Sequence, residues 1–380
     1  MKHRVRNRLS EIRKSRGLTA AELAARIGVN RQTIYAIEAG TYLPNTELSL
    51  LLAGLLEVSV EEIFSLAPVS VEEPGLLPAR FLDAEEPVNG MPVRICRVGK
   101  GWMSVPVNAA PYYMPEADGL VARTPGPPRA RKREAEARLM VFGREEEFHK
   151  RLLVAGCDPA ASLLSRMTER EAGVEVVSAA ASSKRALGWL KEGKVHIAGS
   201  HLEDPRTGEF NLPYIRREFP GEELVVVTFA HWEEGFVVAP GNPKGIGKVE
   251  DLARRGVTFV NREPGAGSRA LLDKLAAAAG LEPERIHGYE RIAHGHLAAA
   301  FAVSSGSADA CVATRSAARA FALDFVPLHG ARYDFVMRKE TAALPLVQSF
   351  LDVLQRASLR RKLESLAGYD TTSTGAVLAA

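Results

Sequence analysis

Residues 18–40 read LTAAELAARIGVNRQTIYAIEAG, which predicts two short helices joined by a tight turn. Thr19 is a typical N-cap for the first helix, and Gly28 is a typical residue at which such a helix ends. Asn30 has a side chain suited to capping the second helix. Apolar residues recur at helical spacing along both segments: Leu23, Ala24, Ile27, Ile34 and Ile37. With further apolar stripes on either side, residues 1–66 are expected to fold as an all-α domain.

The same stretch resembles the helix-turn-helix of the Cro and lambda/434-repressor-like (XRE) family. The helix spacing, the small turn residues and the ending Ile-x-x-Ile-Glu-x-Gly agree, and Pro44 follows closely. The resemblance implies that the second helix lies in the major groove of operator DNA. Residues 1–40 hold nine Lys and Arg against three Glu, which suits a polyanionic partner. The alternative is a helical bundle whose basic face is merely solvated.

The residues expected to contact DNA are Asn30, Arg31, Gln32, Thr33 and Tyr35. Arg31 can make a bidentate contact with guanine, and Gln32 can do the same with adenine. Thr33 and Tyr35 can reach phosphates or a thymine methyl group, and Asn30 can cap the helix and touch a phosphate.

One position departs from the family pattern. The family usually has glutamine where this chain has Ala20, so a contact with the DNA backbone is missing there. We expect nearby basic residues, such as Arg6 and Arg13, to replace it.

Composition bounds the class of protein. The chain has 380 residues, 46% of them hydrophobic and 25% charged, as in soluble proteins of two or three domains. The net charge of +3 says nothing about partners. A basic N-terminus without an apolar core is not a signal peptide, and no apolar stretch approaches the roughly 20 residues of a membrane helix. Three widely spaced cysteines favour a reducing compartment. A cytoplasmic protein without membrane contact is therefore expected.

Residues 67–122 lose helical periodicity and predict a small β-rich module. Its clearest element is a hairpin of residues 92–98 and 102–107, separated by Gly99-Lys100-Gly101. Residues 123–146 are expected to be a linker, since 124–128 are rich in Pro and Gly and 129–133 form a basic run.

Residues 147–380 alternate between apolar strands and helices, the pattern of α/β folds with parallel sheets. The last helix, about 344–366, should be the longest. Three stretches resemble the molybdate-type and related type II periplasmic binding proteins, a version of which is fused to helix-turn-helix modules in bacterial regulators: residues 195–202, 256–269 and 306–310. The resemblance implies a two-lobed α/β solute-binding-protein-like domain with ligand in the cleft. Lobe one would comprise 147–230 and 330–380, and lobe two 236–325.

A ligand site is predicted where residues 264–269, Pro-Gly-Ala-Gly-Ser-Arg, follow a strand and open a helix. Glycines allow close backbone approach, and a helix start offers free N–H groups to an anion. Gly265, Gly267, Ser268 and Arg269 are therefore the candidate contacts, although such a turn also occurs for geometry alone. The strand ends at 156–158, 181–183 and 199–201 can face the same cleft. From these, Ser183 and Ser200 are added to the candidates.

No metal and no cofactor are expected. His287, His294 and His296 show no recognisable metal-ligand spacing with a carboxylate or cysteine. Cys157 and Asp158 are interpreted as packing and helix-capping residues, and Asp309 as a residue that fixes a turn.

These features together predict a ligand-responsive transcription regulator and not an enzyme. Its partners would be double-stranded operator DNA, bound as a homodimer, and a small oxyanion or organic acid. The alternative is an enzyme on a solute-binding-protein fold, with His294 or His296 and Asp309 as acid/base groups. A transport receptor is disfavoured because the N-terminus lacks a signal peptide.

Overall fold

The computed structural model describes residues 5–66, 76–82, 87–107, 116–123 and 136–378. The chain divides into two compact units, Met1–Leu76 and Leu77–Ala380. The predicted breaker segment 124–128 and basic run 129–133 lie outside the described residues.

The first unit is a five-helix domain with a small β-ribbon. Its elements are β1 (Val5–Asn7), α1 (Leu9–Ser15), α2 (Ala20–Ile27), α3 (Arg31–Glu38), α4 (Thr46–Leu56), α5 (Val60–Ile63) and β2 (Phe64–Leu66). Side-chain oxygens cap four of the helices, supplied by Thr19, Asn30, Asn45 and Ser59. The ribbon, in which β1 pairs antiparallel with β2, adds two strands to a domain expected to be all-α.

Arg13 stabilises this unit from inside. Its guanidinium Nε lies 2.6 Å from Glu38 Oε1, and its Nη1 donates to the carbonyl of Leu18 at 2.7 Å. Both charged side chains are about nine-tenths buried. The Arg13 guanidinium is therefore paired with Glu38 of α3 and does not supply the phosphate contact expected of it. Ala20 is buried in the helical core, whereas the side chain of Arg6 lies outside the described residues.

A closed five-stranded barrel begins the second unit. Its strands are β3 (Leu77–Phe81), β4 (Pro92–Val98), β5 (Gly101–Pro106), β6 (Gly119–Arg123) and β7 (Glu136–Val141), in the order β3-β5-β4-β6-β7. The predicted hairpin is β4 and β5. The linker prediction for 123–146 was wrong at β7, which alternates buried and exposed residues and pairs with both β3 and β6. Without β7 these two strands would have open edges.

The barrel is attached to the following α/β domain by buried charges. Arg151, which begins strand β8 (Arg151–Gly156), donates to Asp118 and to Glu175, each at 2.6 Å. Arg94 of β4 contacts the same two carboxylates. Arg151 and Asp118 are both more than nine-tenths buried, so each depends on the other for charge compensation.

The α/β domain contains the remaining elements. They are α6 (Ala161–Ala172), β9 (Glu175–Ala180), α7 (Ser183–Lys191), β10 (Ile197–Ser200), α8 (Leu212–Glu218), β11 (Leu224–Val238), β12 (Asn261–Arg262), α9 (Gly267–Ala278), β13 (Ile292–Ala293), α10 (His296–Ser304), β14 (Ala310–Thr314), α11 (Arg315–Ala320), β15 (Asp324–Arg338), α12 (Lys339–Ala342), α13 (Pro345–Leu354), α14 (Ala357–Ser365), β16 (Tyr369–Asp370) and β17 (Val377–Leu378).

Two long strands connect two lobes. β11 and β15 have 15 residues each and pair antiparallel along their length. At one end, β10 pairs with β15 and continues into parallel β8 and β9, which form lobe one. At the other end, β14 pairs with β11 in lobe two. The two expected lobes are present, and both crossings between them lie inside these strands.

The C-terminal helix prediction was wrong in extent. Residues 344–366 form α13 and α14, separated by a turn at Gln355 and Arg356. The turn allows Leu354 at the end of one helix and Leu359 and Leu363 of the next to be buried in the same core.

Replacing Arg151 by Ala should lower the free energy of unfolding of this unit. Breaking a buried ion pair costs about 3–5 kcal/mol, and we expect about 2–3 kcal/mol because Arg94 still contacts Asp118. Arg170→Ala is the matched control, since that side chain is 67% exposed and its pair with Glu171 should contribute at most about 1 kcal/mol. Urea titration followed by circular dichroism measures both. Equal losses in the two variants would contradict a stabilising role for Arg151.

Candidate functional site

The predicted recognition helix is α3, which exposes its long polar side chains. Arg31 and Gln32 are exposed in its first turn, and Tyr35 is 50% exposed one turn on. The Arg31 guanidinium lies 5.9 Å from the Tyr35 ring centroid. Asn30 Oδ1 accepts from the backbone N–H of Thr33 at 2.7 Å and from its hydroxyl at 2.8 Å. The start of α3 is therefore rigid, and the side chains predicted to read bases point to solvent.

A cavity of about 950 Å³ lies between the two lobes of the α/β domain. Lobe one contributes the residues after β8 and β9, where α6 and α7 begin. Lobe two contributes the residues before and at the starts of α9 and α10. The cleft predicted at the carboxyl ends of strands is therefore present. The starts of α6, α7 and α10 line it, together with residues 263–265, which precede α9.

The four helices around the cavity begin without side-chain caps. In the part of the chain that the structure describes, the N-cap residues Ala160, Ser182, Ala266 and Gly295 make no side-chain capping bond. The first N–H groups of a helix have no partner within the helix and carry a partial positive charge. The starts of α6, α7 and α10 face the cavity, and together they favour a bound anion.

Charged side chains also line the cavity. Lys184 and Arg185 of α7 contribute cations, and Asp158 and Glu263 contribute carboxyl groups. Burial raises the pKa of Asp158 to about 7, although its Oδ1 accepts from the backbone N–H of Ala160 at 2.6 Å. Burial also opposes ionisation of Glu263, but two hydrogen bonds of 2.9 Å from Arg262 lower the pKa of that carboxyl overall. Glu263 is thus neutralised by its neighbour.

Two of the predicted ligand residues are glycines that the structure requires. Gly265 lines the cavity at φ +86°, and a Cβ there would lie 3.1 Å from Lys184 Cβ. A Cβ on Gly267 of lobe two would lie 2.5 Å from Cε1 of His201 in lobe one. Gly267 therefore allows the lobes to approach each other.

The three predicted serines are used in internal hydrogen bonds. Ser183 Oγ accepts from the backbone N–H of His201 at 3.1 Å. Ser200 donates to Asn211 Oδ1 at 2.8 Å, and Ser268 donates to Glu234 Oε1 at 2.5 Å. All three are fully buried, and among the described residues they are absent from the cavity wall. Ser182 and Lys184, on either side of Ser183, line the cavity instead.

Arg269 does not occupy the position that was predicted for an anion-binding cation. Its guanidinium lies 4.7 Å from the Tyr289 ring centroid, and its Nη1 donates to the carbonyl of Arg262 at 3.4 Å. Arg269 is not among the described residues that line the cavity. The helix α9 begins at Gly267, so Arg269 already lies within its first turn and points to Tyr289. Sequence reasoning missed Lys184 because only the fold shows which face of α7 meets the cleft.

A thiol and two imidazoles meet at the floor of the cavity. Cys157 Sγ lies 3.5 Å from His201 Nε2 and 3.7 Å from His296 Nε2. Burial raises the pKa of the Cys157 thiol to about 12 and lowers the pKa of His201 to about 3. Burial also holds the pKa of His296 well below its usual value, so both rings are neutral. Cys157 and His296 line the cavity, which a packing role for Cys157 did not predict.

The fold and these two sites define a class of protein, a helix-turn-helix DNA-binding domain joined to a two-lobed binding domain. A helix-turn-helix family model matches residues 9–63, and the model described as PBP superfamily domain matches residues 164–355. The chain belongs to the PBP superfamily domain family.

The chain is similar to several other proteins. The uncharacterized protein YvgK of Bacillus subtilis (strain 168) is 33% identical over 243 residues, covering 64% of this chain and 78% of that protein. The uncharacterized HTH-type transcriptional regulator MJ0272 of Methanocaldococcus jannaschii is 42% identical over 60 residues, 16% of this chain and 91% of its own length. The crystal structure of the tungstate ABC transporter from Geobacter sulfurreducens matches with a TM-score of 0.43 and 16% identity over 57% of this chain and 98% of that one. Within the described residues, no helix has the length and apolarity to cross a membrane.

Gly267→Ala should hold the cleft open, because the added methyl group collides with His201. The reactivity of Cys157 with a maleimide reports this, since Cys157 lines the cavity while Cys96 and Cys311 are fully buried. We expect the variant to react faster than wild type. Gly188→Ala is the control, because a Cβ on Gly188 of α7 meets open space. An unchanged rate in Gly267→Ala would show that this contact does not hold the lobes together.

Proposed function

We propose that this protein is a ligand-responsive transcription regulator that binds operator DNA through α3 and a small organic anion in the cleft between its lobes. The observation that carries the proposal is that one chain combines an exposed helix α3 in a helix-turn-helix with a cavity lined by the uncapped starts of α6, α7 and α10.

The DNA-binding part of the proposal rests on side-chain chemistry. Arg31 and Gln32 are exposed at the start of α3 and have the donor geometry that guanine and adenine accept in the major groove. Asn30, Thr33 and Tyr35 would position the helix against the DNA backbone. One helix of this kind reads only a few base pairs, so we propose a homodimer on paired half-sites about one helical turn apart.

The ligand class follows from the walls of the cavity. The helix starts and Lys184 favour a negative group, and the paired Glu263 adds little net charge. Other walls are apolar and include Leu164, Phe335 and Phe350. A cavity of about 950 Å³ is of the size that holds an organic ligand. These features favour an organic acid over a bare oxyanion such as molybdate.

The coupling between ligand and DNA would work through lobe closure. The backbone N–H of Lys184 in lobe one donates to the carbonyl of Gly265 in lobe two at 3.3 Å, so both lobes contact the ligand space at once. A ligand that touches both lobes binds the closed arrangement better than the open one, which is the condition for shifting the equilibrium.

Catalysis is not part of the proposal. Asp309, the candidate acid/base group of the enzyme alternative, accepts from the backbone N–H of Thr258 at 2.7 Å and from its hydroxyl at 2.8 Å. It therefore connects the start of β14 to a segment 51 residues earlier in the chain, and within the described residues it is not part of the cavity lining. Turnover of a bound organic acid by purified protein would favour the enzyme alternative.

Replacing Arg31 or Gln32 by Ala should relax the DNA sequence preference at one position each. Each bidentate base contact contributes about 1–3 kcal/mol of discrimination. Selection of bound sequences from a random duplex library, followed by affinity measurement, detects the change. Arg361→Ala is a control of equal charge, since Arg361 is exposed on α14 of the other unit. Unchanged preference in both variants would remove α3 from its role as the recognition helix.

Lys184→Gln should weaken retention of the anionic ligand. Loss of one charge-assisted hydrogen bond costs about 1.5–3 kcal/mol, roughly tenfold to a hundredfold in affinity. Native mass spectrometry of freshly purified full-length protein measures the fraction that carries a small molecule. Lys191→Gln is the matched control, because Lys191 ends the same helix and contacts Glu218 at the surface. Equal retention in wild type and Lys184→Gln would contradict the anion assignment.

A further inference from the structure

The cluster of Cys157, His201 and His296 has the spacing of metal ligands. The sulfur lies 3.5 and 3.7 Å from the two Nε2 atoms, and all three ligand atoms lie within 4.8 Å of one another. A tetrahedral zinc ion with Zn–S of about 2.3 Å and Zn–N of about 2.0–2.1 Å places sulfur and nitrogen about 3.5 Å apart. The two sulfur–nitrogen distances therefore match this geometry.

Hydrogen bonding alone does not satisfy this cluster. The thiol has one proton, so it can donate to only one of the two Nε2 atoms. If the second ring instead donates its Nε2 proton to sulfur, its Nδ1 must accept elsewhere. Among the described residues, neither His201 Nδ1 nor His296 Nδ1 has a hydrogen-bond partner. A metal ion would use the sulfur and both Nε2 lone pairs at once, and each ring would then carry its proton on Nδ1, which has no partner in the described part of the chain with or without the metal.

The surroundings of the cluster suit a bound cation. Glu234 Oε1 lies 3.8 Å from His201 Nδ1, so this carboxyl group is near the cluster but does not hydrogen-bond the ring. The buried Arg262 would repel a cation, but Glu263 neutralises it through two hydrogen bonds of 2.9 Å. The thiolate that forms on metal binding supplies a further negative charge, and its proton leaves to solvent.

We propose that Cys157, His201 and His296 bind one zinc ion at the floor of the cleft. One thiolate and two imidazoles form a ligand set that zinc prefers, and three protein ligands leave the fourth tetrahedral position open. Because Cys157 and His296 line the cavity, the open position faces it.

This metal would connect the two lobes. Cys157 follows β8 and His201 follows β10, both in lobe one, whereas His296 begins α10 in lobe two. An ion coordinated by all three binds only the closed cleft, so zinc and closure must favour each other. The anionic group of the organic ligand would take the open position, and this last step rests on the proposed function.

Cobalt(II) titration of metal-stripped full-length protein tests the site. Tetrahedral cobalt bound to a thiolate gives d–d bands in the visible range and a sulfur charge-transfer band in the near ultraviolet. We expect both bands to saturate at one equivalent, and we expect zinc to displace the cobalt. No binding, or a spectrum without the sulfur band, would overturn the proposal.

Substitutions of the proposed ligands test whether the cobalt absorption bands arise from these residues. Cys157→Ser and His296→Gln should each lose at least tenfold in cobalt affinity, and Cys157→Ser should also lose the charge-transfer band. Two variants serve as controls: His294→Gln, which changes another histidine of the cavity wall, and Cys311→Ala, which changes a buried cysteine of β14. Wild-type affinity in either test variant would contradict the assignment. If Cys157→Ser fails to fold by circular dichroism, His296→Gln decides alone.

The metal proposal and the proposed function fail separately. Operator selectivity and retention of an organic ligand are measured without added metal. If cobalt does not bind but operator and ligand do, the zinc site is wrong and the regulator remains. If cobalt binds through these three residues and operator binding is absent, the zinc site stands and the regulator fails.

Discussion

The antiparallel pairing of β11 with β15 is the constraint on which the cleft depends. The two strands cross from one lobe to the other, so their register sets how far apart the lobe surfaces lie. Register shifts interrupt the pairing at Thr228/Ala230, next to the residues that lie opposite the β10-paired part of β15, and at Glu234/Gly235, where β11 begins to pair with β14. Bulges of this kind bend a strand locally, which makes this stretch the natural hinge.

The ligand preference of the cleft follows from the polar groups that remain without protein partners when the lobes are closed. In the DNA-binding unit, side chains such as Thr19 and Asn30 satisfy the first N–H groups of the helices, and those helices are closed to ligands. Around the cavity the helix starts lack side-chain caps, although the N–H of Lys184 donates to the Gly265 carbonyl, and a thiol and two neutral imidazoles are buried beside them. Buried polar groups without partners are costly in a folded protein. Their concentration at one place marks it as a binding site.

Local rules predicted the local structure. Caps and apolar spacing placed α2 and α3 correctly, because Thr19 and Asn30 act on their own helices. Alternation of strands and helices predicted an α/β fold, and the resemblance to type II periplasmic binding proteins implied its two lobes. The strand β7 was missed because it is stabilised by pairing with β3, about sixty residues earlier in the chain. Arg269 was misassigned and Lys184 missed for a related reason: only tertiary packing decides which face of a helix meets the cleft. His201, similarly, joins Cys157 and His296 only through the fold.

Coupling between the cleft and the operator is the central claim, and reciprocity is its sharpest consequence. If ligand changes the affinity for operator, operator must change the affinity for ligand by the same factor. Calorimetric titration of the co-purified ligand into full-length protein, with and without saturating operator duplex, measures that factor directly. The account predicts a ratio of ligand Kd values of about 5–150, equal to the ratio of operator Kd values measured with and without ligand. A ligand Kd that is the same in both titrations would contradict it.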